Sequence, residues 1–321
     1  MITLWRSNSI RTVFYEFLDH FSASYTKKIL WEALSLLGEL WPYLVMGIVL
    51  STVVKVFISK QQMSAFFIKR SDSTTILIAA LIGVVSPVGS YVIIPMSAAL
   101  LVIGIPLPAL MALMVASPLM NPNLFVLTAG AMGMEMAILR TLAAFLLGSL
   151  AGYTSRWLIR KKWLFPDQVI RNSGQFSMDP YSGSTKERTV SGFLLELYKM
   201  TRYVSKYFFL AIIFAAAIKI AVNPNVVIRL FGSGNFLSVA LSTGAGIPFY
   251  VCGGAAIPVV QQLADLGMSK GAVLAYFISG PVTKISNLVI IQTIFKRSIL
   301  VQYLLIGILG AFLFGVLYNL F

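Results

Sequence analysis

The chain has 321 residues, 58% of them hydrophobic and 11% charged, with a mean hydropathy of +0.86. Soluble globular chains carry roughly 25% charged residues, so an ordinary soluble protein is excluded. The formal net charge of +14 is concentrated, with ten of the 25 Lys and Arg lying between Arg156 and Lys206 beside the ends of apolar stretches, which reads as a membrane-orientation signal and not as a nucleic-acid surface.

At the N-terminus, Ile10, Val13, Phe14, Phe17, Leu18 and Phe21 recur at helical spacing, flanked by Arg6, Arg11, Lys27 and Lys28. The pattern predicts an interfacial helix over 1–28 on the cytoplasmic side; a helix packed on the protein's own polar face fits it equally. Beyond it no charge appears between Asp72 and Glu135, between Arg229 and Asp265, or after Arg297. A helical crossing takes roughly 20 apolar residues. Hydropathy therefore predicts eight spans, at 38–58, 75–104, 107–133, 137–157, 205–222, 235–266, 271–295 and 299–320, in an all-α polytopic membrane protein. Residues 158–192 hold Pro166, Asp167, Asn172, Gly174, Pro180 and Gly183, turn formers with little to bury, and separate a first transmembrane repeat at 29–157 from a second at 193–321.

Counted from a cytoplasmic start, eight crossings return the C-terminus to the cytoplasm across the inner (plasma) membrane. This threading puts the N-terminus, the 158–192 linker and Lys270 inside, and Lys60, Lys69, Arg70, Arg229, Lys296 and Arg297 outside.

The halves repeat. A shift of 164 lays Glu32 on Glu196, Tyr43 on Tyr207, Ile48 on Ile212 and Lys55 on Lys219; a shift of 163 lays Pro95 on Pro258, Gly104 on Gly267, Ala109 on Ala272, Ala112 on Ala275 and Pro118 on Pro281. Duplication of this kind marks transporters built around a central site. Four crossings per half make the copies parallel; if the Pro-rich segments are re-entrant and change the parity, the copies are inverted.

The informative stretches are Ser86-Pro87-Val88-Gly89-Ser90 through Pro95, Ser117-Pro118 through Asn121-Pro122, Gly246-Ile247-Pro248 through Cys252-Gly253-Gly254 to Pro258, and Gly280-Pro281-Val282-Thr283-Lys284. Proline removes a main-chain donor and glycine permits sharp bends, so these helices are expected to break. Breaks in lipid are tolerated where the freed groups face protein or a watery cavity, which predicts a shared polar site near mid-membrane. Pro and Gly as plain packing kinks are the alternative.

Lys284 stands near the middle of its span, where a charge costs at least roughly 2.5–3.5 kcal/mol. It either meets the solute or titrates with the cycle, or it sits in a fixed ion pair or a set of carbonyls; its repeat mate is the neutral Asn121. Cys252 reads as a reactive or soft-metal-ligating thiol or as a small buried cysteine. The site residues expected to contact substrate are Cys252, Lys284 and Asn121, supported by Ser86, Ser90, Thr283 and Asn287.

With one cysteine and one histidine, His20, no multi-thiolate metal site is available within one chain, and no P-loop is present, so no metal or other cofactor is expected. The expected partners are the lipid bilayer and a small-molecule or ionic substrate, with homo-oligomerisation left open.

At these motifs the sequence resembles the predicted permease family that includes the ArsP organoarsenical exporters and YraQ-like proteins. The likeness covers both halves: Ser86-Pro87 to Pro95 with Ser117-Pro118 and Asn121, and Cys252-Gly253-Gly254-Ala255-Ala256-Ile257-Pro258 with Gly280-Pro281-Val282-Thr283-Lys284. It implies an eight-span inner-membrane permease, exporting trivalent organoarsenicals in several members. Where members often carry a Cys-x-Cys pair this chain has Gly89 and Tyr91, which leaves Cys252 as its one thiol for a soft metalloid.

The expected function is alternating-access efflux of a small solute. A channel using the same breaks as a filter, or a membrane-embedded enzyme using Cys252, are the competing readings.

Overall fold

The computed structural model describes residues 27–42, 44–46, 48–49, 52, 72–86, 93–94, 97, 100–101, 105–165, 169, 190–221, 224–249 and 253–320. The interfacial helix expected over 1–28 and most of the 158–192 linker lie outside the described residues, as do Pro87, Gly89, Ser90, Pro95 and Cys252.

The described chain is helical, without a β-strand. After helical residues 27–42 come α1 (Asp72–Val85), α2 (Leu107–Leu119), α3 (Pro122–Met132), α4 (Met134–Arg160), α5 (Val190–Ala221), α6 (Phe236–Phe249), α7 (Gly253–Asp265), α8 (Lys270–Thr283), α9 (Ile285–Ile294) and α10 (Arg297–Leu320). By length and composition Leu107–Met132, Met134–Arg160 and Arg297–Leu320 can each cross a membrane, and two bent helix pairs bring the number to as many as five.

Lipid contact is written into α4 and α10. Ile138, Leu142, Leu146, Leu150 and Trp157 form one exposed stripe; Val301, Leu305, Leu309, Leu313 and Leu317 form another. A four-residue spacing keeps such residues on one helical face. The opposite faces are lined by Ala143, Ala144, Gly148, Ala151 and Gly152 on α4, and by Gly307, Gly310, Ala311 and Gly315 on α10.

Between helices in lipid the hydrophobic effect gives little, so close packing at small residues must hold them. Gly152 lies against Ile76 and the Pro108 carbonyl, and Gly148 against Ala80, Ala112 and Ala116, which binds α1, α2 and α4 into one bundle. Gly315 lies against Val239, Gly271 and Ala275, binding α6, α8 and α10 into a second. Hydroxyls satisfy themselves along their own helices, as Thr128 donates to the Leu124 carbonyl, Ser155 to Ala151 and Thr243 to Val239.

The direction of each helix follows from its contacts. Helices α4 and α10 are antiparallel: Gln302, near the start of α10, donates to the Ser155 hydroxyl at 2.7 Å and the Ala151 carbonyl at 3.1 Å near the end of α4. Leu147 meets Gly310 midway, and Tyr318 near the end of α10 donates to Glu135 at the start of α4 at 2.8 Å.

Two ends of the molecule are thereby defined. The linker end holds Arg160 and Lys296, whose amide donates to the Val169 carbonyl at 2.8 Å. The clasp end holds Glu135, Lys270 and Asn319, with Lys270 Nζ 3.1 Å from the Glu135 carboxylate.

The described ends of segment 235–266 lie at the same end of the molecule. The Phe231 carbonyl accepts from the Ser269 amide at 3.0 Å, and Asn319 donates to the Gly234 carbonyl at 3.0 Å while accepting from the Gly271 amide at 2.7 Å. The chain therefore enters as α6 and is back at the clasp end after α7. Gly267, between α7 and α8, has φ 104°, a turn that a side chain would strain.

In the first half, the starts of α1 and α2 lie at the opposite end. Ser73 at the start of α1 accepts from Arg156, and Pro108 at the start of α2 lies against Gly152, so α1 and α2 begin side by side at the linker end. Lys270 therefore lies at the end opposite Arg160, and Lys296 and Arg297 lie at the same end as Arg160, the reverse of their placement in a serial threading. Hydropathy counts apolar residues and cannot distinguish one crossing from an entry and return.

This assignment predicts a cross-linking pattern. In a Cys252→Ser background, Glu135→Cys with Lys270→Cys should join the two halves through a short bis-maleimide, so that proteolysis within 158–192 leaves one band on a denaturing gel. Glu135→Cys with Lys296→Cys, neighbours in a serial threading, should separate into two.

Candidate functional site

Two helices stop inside the molecule and restart at once. Between α2 and α3, Met120 (φ −146°, ψ 146°) and Asn121 (φ −156°, ψ 168°) are extended. The Asn121 side chain accepts from the Leu124 amide at 2.9 Å, capping α3, and its main-chain carbonyl accepts from Phe125 at 2.9 Å. An N-cap of this kind satisfies an amide that lipid cannot.

Between α8 and α9, Lys284 (φ −54°, ψ 118°) is the single joint residue, and the helices on either side are bent by 42°. Its carbonyl accepts from the Asn287 and Leu288 amides at 2.9 and 3.1 Å, and its side chain is half-buried. Lys284 and Asn121, paired by the shift of 163, each occupy a helix joint.

Around Lys284 the structure gathers several of the sequence-derived residues. Asn287, 1% exposed, donates to the Pro281 carbonyl at 3.1 Å, and the buried Thr283 hydroxyl donates to the Ser279 carbonyl at 2.8 Å. Gly280 is buried, and Gly246 near the end of α6 packs directly on Ser279 and Gly280. Ser86 lies elsewhere: it is buried at the end of α1, its amide donating to the Ile82 carbonyl at 2.8 Å, beside Gly83, which packs on Ala116 of α2.

On the other side Gly253 opens α7 and Gly254 faces Leu127 of α3. Pro118, Pro248 and Pro281 lie inside α2, α6 and α8, which end one or two residues later. Pro258 also lies inside its helix, but α7 runs on to Asp265, losing only the bond that a residue-258 amide would have given the Gly254 carbonyl; it is not a break. Ser90, Pro87, Gly89, Pro95 and Cys252, outside the described residues, are placed by nothing here.

Sequence reasoning passed over Arg140. It is 1% exposed, donates from Nη1 to the Thr128 hydroxyl of α3 at 2.9 Å, and lies over the Phe277 ring of α8, 4.2 Å from its centroid. The signal was available: a permanent cation one turn inside the fourth predicted span. Also unforeseen was Gln302, whose amide ties α10 to α4 through Ala151, Thr154 and Ser155. Among the described residues no group of three or more His, Cys, Asp or Glu could hold a metal ion.

Comparison with known proteins agrees with a helical membrane protein built this way. The profile of a family described as "Predicted permease" (ArsP_1) matches residues 27–320. The chain belongs to the ArsP_1 predicted permease family. It is 24% identical to UPF0718 protein YcgR of Bacillus subtilis (strain 168) over 281 residues, 86% of this chain and 93% of that protein. It is also 21% identical to UPF0718 protein MJ0584 of Methanocaldococcus jannaschii over 119 residues, 37% of this chain and 33% of that protein. No solved structure matches. The ArsP_1 assignment makes the chain a multi-pass membrane protein of a permease family, which is not an enzyme family.

The α3 cap has a measurable consequence. Asn121→Ala removes the bond to the Leu124 amide and should lower the stability of the detergent-purified protein by about 0.5–2 kcal/mol, whereas Asn121→Ser should restore most of it. Thermal unfolding of the three proteins checks this.

Proposed function

We propose that the chain is a permease of two inverted repeats that carries a small solute across the cytoplasmic membrane by alternating access, in the exporting direction its family resemblance implies. On this reading each half contributes three crossings and one re-entrant helix pair. One pair enters from the linker end and one from the clasp end, and the interrupted helices α2–α3 and α8–α9 line the path between them.

The observation that carries the reading is the antiparallel contact of α4 with α10. The shift of 163 that pairs Asn121 with Lys284 also pairs Leu147 with Gly310, and these two residues touch. A residue meeting its own repeat mate lies on a two-fold axis in the membrane plane, the arrangement of inverted-repeat transporters. The bundles agree: Gly152 packs on Pro108 as its mate Gly315 packs on Gly271.

Charge supports an orientation. Arg156, Arg160, Lys161, Lys162, Lys296 and Arg297 gather at the linker end, while the clasp end carries Arg229 and Lys270 with the acids Glu135 and Asp265. The excess of Lys and Arg marks the cytoplasmic side. With an odd number of crossings per half, the C-terminus lies outside, contrary to the cytoplasmic end expected from eight serial crossings. A reporter enzyme active only outside the cytoplasm should be active when fused after Phe321 and silent when fused within the linker at residue 175.

Lys284, Asn121, Thr283, Asn287, Ser86, Ser90 and Cys252 are the proposed substrate-contacting groups. Lys284→Ala should abolish solute flux in reconstituted vesicles while leaving the thermal unfolding temperature within a few degrees of wild type; unchanged flux would discard Lys284 as a contact. Cys252→Ser should reduce flux only for a thiophilic solute. Saturable flux, and not single-channel current, separates this reading from a channel.

A further inference from the structure

The clasp joins two turns that belong to different halves. Gly133, with φ 88°, turns the chain from α3 into α4, and Gly267 turns it from α7 towards α8. Glu135 stands two residues past the first and Lys270 three past the second, so their ion pair at 3.1 Å bridges the two tips. Both carboxylate oxygens are engaged from the second half: Lys270 Nζ reaches them at 3.1 and 3.4 Å, and the Tyr318 hydroxyl donates to one of them at 2.8 Å. Behind the tips α3 meets α7, where Leu127 lies against Gly254.

The second-half donors are fastened to each other. Asn319 accepts from the Gly271 amide at 2.7 Å and donates to the Gly234 carbonyl at 3.0 Å, which ties the end of α10 to the start of α8. Glu135 therefore faces two donors on one unit, and drawing α4 away from α8 and α10 at this end breaks both contacts together.

Leverage and burial decide which end yields. Leu147 meets Gly310 midway along the contact of α4 with α10, and Gln302 and Tyr318 each stand eight residues from Gly310, about 12 Å along the axis. Rocking by about 15° around that point shifts either end by about 3 Å, enough to part a hydrogen bond. The arms are equal, so the difference lies in what each end loses. Gln302 is 6% exposed and gives its amide to Ala151, Thr154 and Ser155 at 3.1, 2.9 and 2.7 Å, bonds whose loss would leave polar groups in a dry interior. At the clasp the Lys270 and Glu135 side chains are 68% and 61% exposed, so water replaces each contact that is lost.

We propose that Glu135, Lys270 and Tyr318 are the latch of a gate at the clasp end, which opens by parting the α3–α4 turn from the α7–α8 turn while Gln302 keeps α4 and α10 joined at the other end. This rests on the alternating-access reading above, and on the orientation given there the gate faces outward. A latch of exposed groups biases the closed state only weakly, so the gate opens without a large input. The contact of Leu127 with Gly254, just behind the latch, is then among the first to meet water.

The test reads the gate on the full chain in detergent. In a Cys252→Ser background, Leu127→Cys reports on the clasp side and Ala151→Cys on the linker side, both positions being fully buried, and the rate of labelling by a charged maleimide is followed. Glu135→Gln, Lys270→Met and Tyr318→Phe should each raise labelling at position 127 about twofold to fivefold, the range open to an exposed pair, and leave position 151 unchanged. Glu135→Gln combined with Lys270→Met should raise it no further than the larger single change, because both break one latch. If Leu127→Cys does not fold, Ile257→Cys takes its place, since it is fully buried and shares the Gly254 face of α7. Labelling at the clasp side that none of the three substitutions alters overturns the proposal, and so does a rise there that is matched at position 151, the mark of general loosening. The two readings fail apart. Wild-type vesicles that move methylarsenite, sulfate or acetate, with no rise in labelling in the variants, sink the latch alone; a rise in labelling with no flux of the three above empty vesicles sinks the permease reading.

Discussion

A helix that ends inside a bilayer leaves amides and carbonyls that hydrocarbon cannot satisfy, at several kcal/mol for each unmet group. The interior of this protein is arranged around that constraint. Asn121 turns its side chain back to cap α3, the Lys284 carbonyl receives two amides of α9, and Asn287 reaches across the joint to the Pro281 carbonyl. Each of these is a local repair made by the residue at the joint or one turn beyond it. The polar side chains at the joints therefore make the broken helices tolerable.

Broken helices need unbroken ones to hold them. α4 and α10 are unbroken apolar rods of 27 and 24 residues, and they face lipid with large aliphatics while turning glycine and alanine inward. Removing side chains on that inner face lets the backbones of α1 and α2, or of α6 and α8, come into direct contact, which substitutes dispersion for the missing hydrophobic drive. The joints between the two rods are of different strength. Gln302 is buried where it binds α4 at the linker end, whereas Glu135, Lys270 and Tyr318 meet at an exposed clasp, where an ion pair contributes little. The clasp end is therefore the end with less to lose on opening.

Much of this was legible in the residues. Apolar blocks located α4 and α10 to within three residues at each end, and the Pro and Gly clusters fell within two residues of where α2, α6 and α8 stop. The direction of the chain was not legible, because a segment of 30 apolar residues reads the same whether it crosses or turns back. What decides is a contact such as Asn319 with Gly234 and Gly271, between residues far apart in sequence and unremarkable in composition. Arg140 escaped for a related reason: a cation near the edge of a span looks like an orientation signal until its burial is known. Lys270 and Lys296 show the difference: the serial threading places Lys270 with the linker and Lys296 opposite it, whereas their contacts place Lys296 with the linker and Lys270 opposite it.

The proposed duplication supplies a scaffold, and the chemistry departs from it. Positions that carry packing keep the same kind of residue in both halves, as Gly152 and Gly315 do. Positions near the joints diverge in charge: Asn121 against Lys284, and Arg140 against Tyr303. A two-fold axis through identical groups would present the same face to solute from either end, with like charges set against each other across the axis. Arg140 and Lys284 occupy non-equivalent positions, one in each half, and Arg140 touches both halves through Thr128 and Phe277.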